Sequence, residues 1–276
     1  MDDLVSAAWL EQQLGSPDLA ILDASLFMPA DGRDPEAEFL AAHIPGARRF
    51  DIDVLSDHAD PVPHMLPGAE AFGPALVALG VGRDDRIVVY DNSPLRSATR
   101  SWFMLRHYGA ERVAVLDGGL AKWRSEGRPL EQGPARPREA RFDAIEHHAV
   151  VNKVMIVDGI DAPILDARGR GRFDGSVPDP RPGVASGHIP GAHNLPYSEL
   201  YRADGTLKSE DELAAAFAAA GVDPHAPFIA TCGSGVTATS LLFAARRLGG
   251  RDARLYDGSW SDYGVDPDTP KAGGSA

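Results

Sequence analysis

Three short motifs occur twice in this chain, in the same order and at nearly the same separation. Ile21-Leu22-Asp23-Ala24 returns as Ile164-Leu165-Asp166-Ala167, and His43-Ile44-Pro45-Gly46-Ala47 returns unchanged as His188-Ile189-Pro190-Gly191-Ala192. Val115-Leu116-Asp117-Gly118 returns as Leu255-Tyr256-Asp257-Gly258, each followed at the same offset by an aromatic, Trp123 and Tyr263. The separations are 143, 145 and 140 residues. Ordered landmarks at a near-constant offset are the mark of a duplicated structural unit. The 276 residues therefore read as two copies of one domain of roughly 130 residues, an ordinary domain size. The stretch from Glu131 to His148, rich in Pro, Arg and Glu, has no counterpart. This places the first copy at residues 1–135, a linker at 136–150 and the second copy at 151–276.

Each copy alternates strand-like and helix-like segments. Arg86–Asp91 and Pro227–Cys232 are short runs rich in Val, Ile and Ala, as expected of strands buried on both faces. Leu213–Ala220 follows Ser209 and Glu212 and stops at Gly221, a capping box and a glycine stop. Ser97–Tyr108 and Thr237–Leu248 also read as helices, ended by Gly109 and by Gly249-Gly250. Strands alternating with helices predict an α/β fold, each copy a mostly parallel sheet flanked by helices.

The formal net charge of -13 argues against nucleic acid or an anionic membrane as the main partner, because phosphate binding needs a basic face. It leaves room for a small anion held by local arginines. The longest apolar stretch, Leu213 to Val222, is about half of what a membrane span needs. The N-terminus is acidic and amphipathic, without a basic segment followed by an apolar one, so a soluble, cytoplasmic protein is expected. One cysteine, Cys232, excludes an intramolecular disulfide and a multi-cysteine metal site.

Aligning the copies sets Val88-Val89-Tyr90-Asp91 against Ile229-Ala230-Thr231-Cys232, 141 residues apart. The first copy thus carries Asp91 where the second carries a thiol, so one copy keeps chemistry and the other serves as scaffold. After the strand come Cys232, Gly233, Ser234, Gly235, Val236 and Thr237, then a helix. Two glycines let the backbone curl so that successive N–H groups gather around one atom, and the helix adds the positive end of its dipole. Such a cradle stabilises negative charge on sulfur. An exposed thiol there would also invite oxidation. A phosphate-cleaving cysteine loop would need arginine at the position of Ala238, which is absent. Gly233, Gly235 and Ala238 fit a dinucleotide-binding turn, but only about 40 residues follow, too few for the rest of such a fold.

With these residues in place, the whole chain resembles the two-domain rhodanese-type sulfurtransferases, over essentially residues 1–265. Its loop is similar to that of the 3-mercaptopyruvate-using members of the family, and not to the CRKGVT-type loop of thiosulfate-using rhodaneses. Thiosulfate is a dianion that cationic loop residues attract, whereas this loop presents glycine, serine and apolar residues. The resemblance implies a Cys232 persulfide, pyruvate as product, and a thiol such as thioredoxin, or cyanide, as sulfur acceptor. It implies neither metal nor organic cofactor.

The same resemblance makes Arg172 and Arg181 the pair that binds the substrate, with Gly233, Gly235, Val236 and Thr237 forming the substrate-side loop. Arginine suits the task because its planar fork meets a carboxylate with two hydrogen bonds; as plain sequence, both are charges in a Pro/Gly-rich loop. Asp53 and His64 of the first copy match a family pattern in which they join a loop serine, here Ser234, to manage the proton of an enolate. The active site is then expected between the copies. Read simply as residues, Asp53 and His64 stabilise a loop. Arg168 beside Asp166 reads as a structural ion pair, His43 and His188 as turn residues, and His147-His148 as a linker pair without metal-ligand spacing. Asp117-Gly118-Gly119 and Asp257-Gly258-Ser259 read as loops after edge strands, and Trp260 is a candidate for lining the cleft. Tyr263 stands where the family's SWSEWG-like run has a second tryptophan. Two alternatives remain: a thiosulfate:cyanide sulfurtransferase, and a non-catalytic persulfide carrier, which would need the cysteine but no substrate clamp.

Overall fold

The computed structural model describes residues 1–136, 138–147 and 149–273. Pro137 and His148, both in the stretch read as a linker, and residues 274–276 of the second copy lie outside the described residues, and so does the reading of His148 as a non-ligand.

The first compact unit comprises Met1–Ser56, Leu66–His148 and Ala203–Leu207. Its strands are β1 (Leu4–Val5), β2 (Leu19–Asp23), β3 (Ala47–Arg49), β4 (Arg86–Tyr90) and β5 (Val113–Leu116). They form one parallel sheet in the order β1-β5-β4-β2-β3. Its helices are α1 (Ala7–Gln13), α2 (Pro35–Ala41), α3 (Ala69–Ala78), α4 (Ala98–His107) and α5 (Gly119–Ser125). Every residue of β2 and all but the first of β4 are buried, which explains their near-continuous apolar sequences. Residues 138–147 lie along this unit: Arg83, Ile145 and His147 amides donate to Arg141, Tyr108 and His107 carbonyls, and Phe142 is buried.

The second unit comprises Asp57–Met65, Ala149–Arg202 and Lys208–Ala276. Its strands are β6 (Val150–Val151), β7 (Ile164–Asp166), β8 (His193–Asn194), β9 (Ile229–Thr231) and β10 (Arg254–Tyr256). The order β6-β10-β9-β7-β8, again parallel, repeats that of the first unit strand for strand. Its helices are α6 (Lys153–Val157), α7 (Arg170–Asp174), α8 (Glu210–Ala219), α9 (Ala238–Arg247) and α10 (Ser259–Tyr263). The expected capping box starts α8: the Ser209 amide donates to Glu212 Oε2 at 2.9 Å and the Glu212 amide to Ser209 Oγ at 3.4 Å.

The repeated histidines hold turns, each in the same way. His43 stacks on Phe39 at 4.1 Å with Nδ1 2.8 Å from the Phe39 carbonyl. His188 stacks on Phe173 at 3.8 Å with Nδ1 2.8 Å from the Phe173 carbonyl. Arg168 and Asp166 form a fully buried, multiply hydrogen-bonded pair. The reading of the two Asp-Gly loops needs correction. They follow β5 and β10, which are not edges, because the two-residue strands β1 and β6 lie outside them. Strands that short leave no periodicity to read.

Candidate active site

β9 is the middle strand of its sheet, and Cys232 follows it directly, at the carboxyl end where open α/β sheets bind ligands. The loop turns at Gly235, whose φ of 75 favours glycine, and runs into α9. Two of its amides are taken up by a side chain of the protein, contrary to the simplest cradle. Cys232 and Gly235 both donate to Ser259 Oγ, at 3.1 Å each, and that hydroxyl donates to the Tyr256 carbonyl at 2.8 Å. Ser261 braces the next residue, its amide 2.8 Å from the Gly233 carbonyl. Among the described residues, the amides of Gly233, Ser234, Val236 and Thr237 meet no acceptor within the protein. Unpaired amides in a largely buried loop are costly, so this face is built for an anion. Cys232 itself is 1% exposed, which corrects the expectation of an exposed thiol: Val236, Ala238 and Trp260 are buried around the loop's base.

Two guanidinium groups converge on that loop. A Cβ placed on Gly233 would stand 3.1 Å from Arg172 Nη2 and 3.1 Å from Arg181 Nη1. Asp179, its side chain 2% exposed, holds both: its Oδ2 accepts from Arg172 Nη2 at 2.5 Å, and its Oδ1 accepts the Arg181 amide at 3.0 Å and lies 3.7 Å from Arg181 Nη1. Arg172 Nε is buried and has no acceptor among the described residues. Burial draws the Arg181 guanidinium below arginine's ordinary value; Asp179 and Cys232 oppose this, while Arg172 and Arg168 reinforce it. An arginine so placed stays a cation and gains from an anion that replaces lost water.

Ser234 joins this cluster to His64. Its Oγ accepts from Arg181 Nη2 at 3.1 Å and lies 2.8 Å from His64 Nδ1. His64 belongs to the second unit through the Asp57–Met65 segment, closed on itself by an Asp57 amide to Met65 carbonyl bond of 2.8 Å. Its φ of 64 is a strained conformation, of the kind a non-glycine residue adopts where side-chain placement matters. Asp53 belongs to the first unit, exposed in the turn after Phe50, its carbonyl accepting from the Ser56 amide at 3.1 Å. Cys232, Gly233, Ser234, Gly235, Arg172, Arg181 and His64 thus share one site, with the buried Val236 and the α9 cap Thr237 at its base. Trp260 does not line a cleft: it is 1% exposed, donates to the Ala185 carbonyl at 2.8 Å and packs 4.5 Å under Arg168. Asp179 and Ser259 escape a sequence reading, though Asp179, between two prolines beside Arg181, is a visible signal in retrospect. Among the described residues, no group of three or more His, Cys, Asp or Glu is placed to hold a metal, and no helix is long and apolar enough to cross a membrane.

The duplicated five-stranded parallel unit, with one cysteine loop at the centre of the second sheet, defines a tandem protein of the rhodanese class. A model of the rhodanese-like domain matches residues 6–126 and again 151–265, and the chain belongs to that family. It is similar to a 3-mercaptopyruvate sulfurtransferase of Escherichia coli K12, 45% identical over 271 residues that cover 96% of each chain. It is also 39% identical over 294 residues to a mitochondrial thiosulfate/3-mercaptopyruvate sulfurtransferase of Arabidopsis thaliana, covering 98% of this chain and 78% of that one. Among solved structures, that of a 3-mercaptopyruvate sulfotransferase from Escherichia coli superimposes with a TM-score of 0.85 at 43% identity, over 94% of this chain and 99% of the other.

Proposed function

We propose that this protein transfers the sulfur of 3-mercaptopyruvate to a thiol or cyanide acceptor through a persulfide on Cys232. The observation that carries the reading is the convergence of Arg172, Arg181 and Ser234 on the cysteine loop at Gly233. The two arginines take the substrate's carboxylate and carbonyl oxygens. The Cys232 thiolate attacks the substrate sulfur; the C–S bond breaks and its electron pair leaves as the enolate of pyruvate. The Ser234–His64 pair delivers the proton that converts enolate to pyruvate, and Asp53 orients His64. The sulfur stays on Cys232 as a persulfide facing the unpaired loop amides. An acceptor thiolate or cyanide then attacks the outer sulfur and restores the Cys232 thiolate. Two half-reactions sharing a covalent intermediate give ping-pong kinetics.

Glycine at 233 supports mercaptopyruvate over thiosulfate as donor, since any side chain there crowds both guanidinium groups and none adds charge for a dianion. The carrier reading is disfavoured by the Asp179-held arginine pair, which a carrier has no use for. The test is intact mass after incubation with each donor alone, without acceptor. One added sulfur per chain with mercaptopyruvate, far slower with thiosulfate and absent in Cys232→Ser, is expected. The reverse donor preference makes the protein a thiosulfate sulfurtransferase, and no added sulfur from either donor sinks the enzymatic reading.

A further inference from the structure

The first unit contains a cavity of about 220 Å³ that the sulfur chemistry does not use. It opens at the amino ends of β2 and β3, between the Gly15–Leu19 turn, Pro45–Arg48 and the residues Glu131, Ala135, Arg136 and Arg138. This is the opposite end of the strands from the one that carries Asp91. Three of its lining residues are arginines, Arg48, Arg136 and Arg138, against one acid, Glu131.

The arginines differ in how they are compensated. Arg138 is matched by Asp85, its two Nη atoms 2.8 and 2.7 Å from the two carboxylate oxygens. Arg136, 89% exposed, lies 3.6 Å from Glu131 Oε1, while Glu131 Oε2 accepts the Gly46 amide at 2.8 Å. Arg48 is half-buried and has no carboxylate within ion-pair distance among the described residues. Among the described residues, its guanidinium has only two long contacts to carbonyls, Gly46 at 3.4 Å and Arg136 at 3.3 Å. Burial and the nearby Arg138 charge both lower its affinity for a proton, with Asp85 a weaker opposing influence. A partly desolvated cation with weak partners is stabilised by an anion that completes its hydrogen bonds.

The fold does not impose this charge. The second unit has a cavity of about 270 Å³ at the corresponding place, beside Pro163, Ile164 and Ile189–Gly191. Among the described residues its lining, with Ile156, Ile160 and Tyr263, includes no charged side chain, and the counterpart of Arg48 is His193, outside the lining. The same cavity is thus lined by uncharged residues in the copy that carries the cysteine and is cationic in the copy that lacks it.

We propose that the cavity of the first unit binds a small oxyanion of the phosphate type, with Arg48 as its principal cation and Arg136 closing over it. The volume admits inorganic phosphate or the headgroup of a small phosphomonoester. Titration calorimetry at constant ionic strength, with inorganic phosphate and glycerol phosphate as probes and chloride as control, tests this. Arg48→Gln is expected to weaken phosphate binding at least about tenfold, as loss of charge-assisted hydrogen bonds implies, while Arg172→Gln retains it. Tighter binding of the ester identifies an organic phosphate as the ligand class; tighter binding of inorganic phosphate identifies the free ion. Failure of phosphate to bind the wild type, or equal affinity in Arg48→Gln, overturns the proposal, as does a loss confined to Arg172→Gln. Should Arg48→Gln not fold, the exposed Arg136→Gln decides, and unchanged affinity there overturns it. None of these readouts depends on sulfur transfer, so the two readings fail separately.

Discussion

Asp179 holds two cations above one loop, and its burial makes that arrangement stiff. Removing either arginine therefore leaves the other in place and should spare the fold. Arg172→Ala and Arg181→Ala are expected to lower kcat/KM for mercaptopyruvate by roughly 100-fold or more, since each loses charge-assisted bonds of about 1.5–3 kcal/mol to the substrate. Wild-type kcat/KM in both variants would remove the arginines from the substrate site. Ser259 acts one step away from the sulfur. Ser259→Ala strands the Cys232 and Gly235 amides, which should cost about 1–3 kcal/mol of stability and slow persulfide formation in a single turnover. A variant with wild-type melting and wild-type single-turnover rate would show that the brace is dispensable. Cys232, Ser234 and the two arginines were legible because each lies in a short motif. Ser259 was not, because a hydroxyl bridging residues 24 and 27 positions away leaves no local pattern.

Elements were legible where their signals are local. The box at Ser209 and Glu212 spans four residues, and α8 begins where it says. Ser209→Ala should destabilise the protein by about 1 kcal/mol, the usual worth of an N-cap, read as a lower urea midpoint with unchanged kcat. An unchanged midpoint would mean that packing of Leu213 and Phe217 alone fixes this helix. The helices after β4 and β9 were also readable, from an apolar strand, a glycine- or serine-rich turn and a terminal glycine. The edge strands were not, since β1 and β6 have two residues each and exist only through pairing with β5 and β10. The loop after β10 supplies Ser259 to the cysteine loop.

Across the whole molecule, the repeat foretold two sheets of one topology, and the substitution of Asp91 for cysteine has a measurable consequence. Burial raises the Asp91 carboxyl to about 6, despite amide hydrogen bonds from Ala98 and Ser93 and the charge of Arg96, with Asp23 adding to the rise. The folded protein therefore holds this proton more tightly than the unfolded chain. Its contribution is complete below about pH 3.8 and is lost as pH rises to about 6, amounting to roughly 3 kcal/mol. Urea midpoints of wild type and Asp91→Asn, compared from pH 4 to pH 8, should diverge in slope below pH 6 and run parallel above it. Parallel curves throughout would mean that Asp91 is ionised across the range. What the repeat did not disclose is that the units are not contiguous in sequence, because membership of a unit depends on long-range packing. Asp57–Met65, from the first half of the chain, belongs to the second unit, and Ala203–Leu207, from the second half, belongs to the first.

That exchange makes the duplication irreversible. A gene that dropped its first copy would keep the thiol, the loop and both arginines, yet lose the histidine 2.8 Å from Ser234. A gene that dropped its second copy would lose the sulfur chemistry outright and five residues of the remaining unit with it. The half without a cysteine persists, on this view, as the keeper of a borrowed segment, and selection on either half is selection on both.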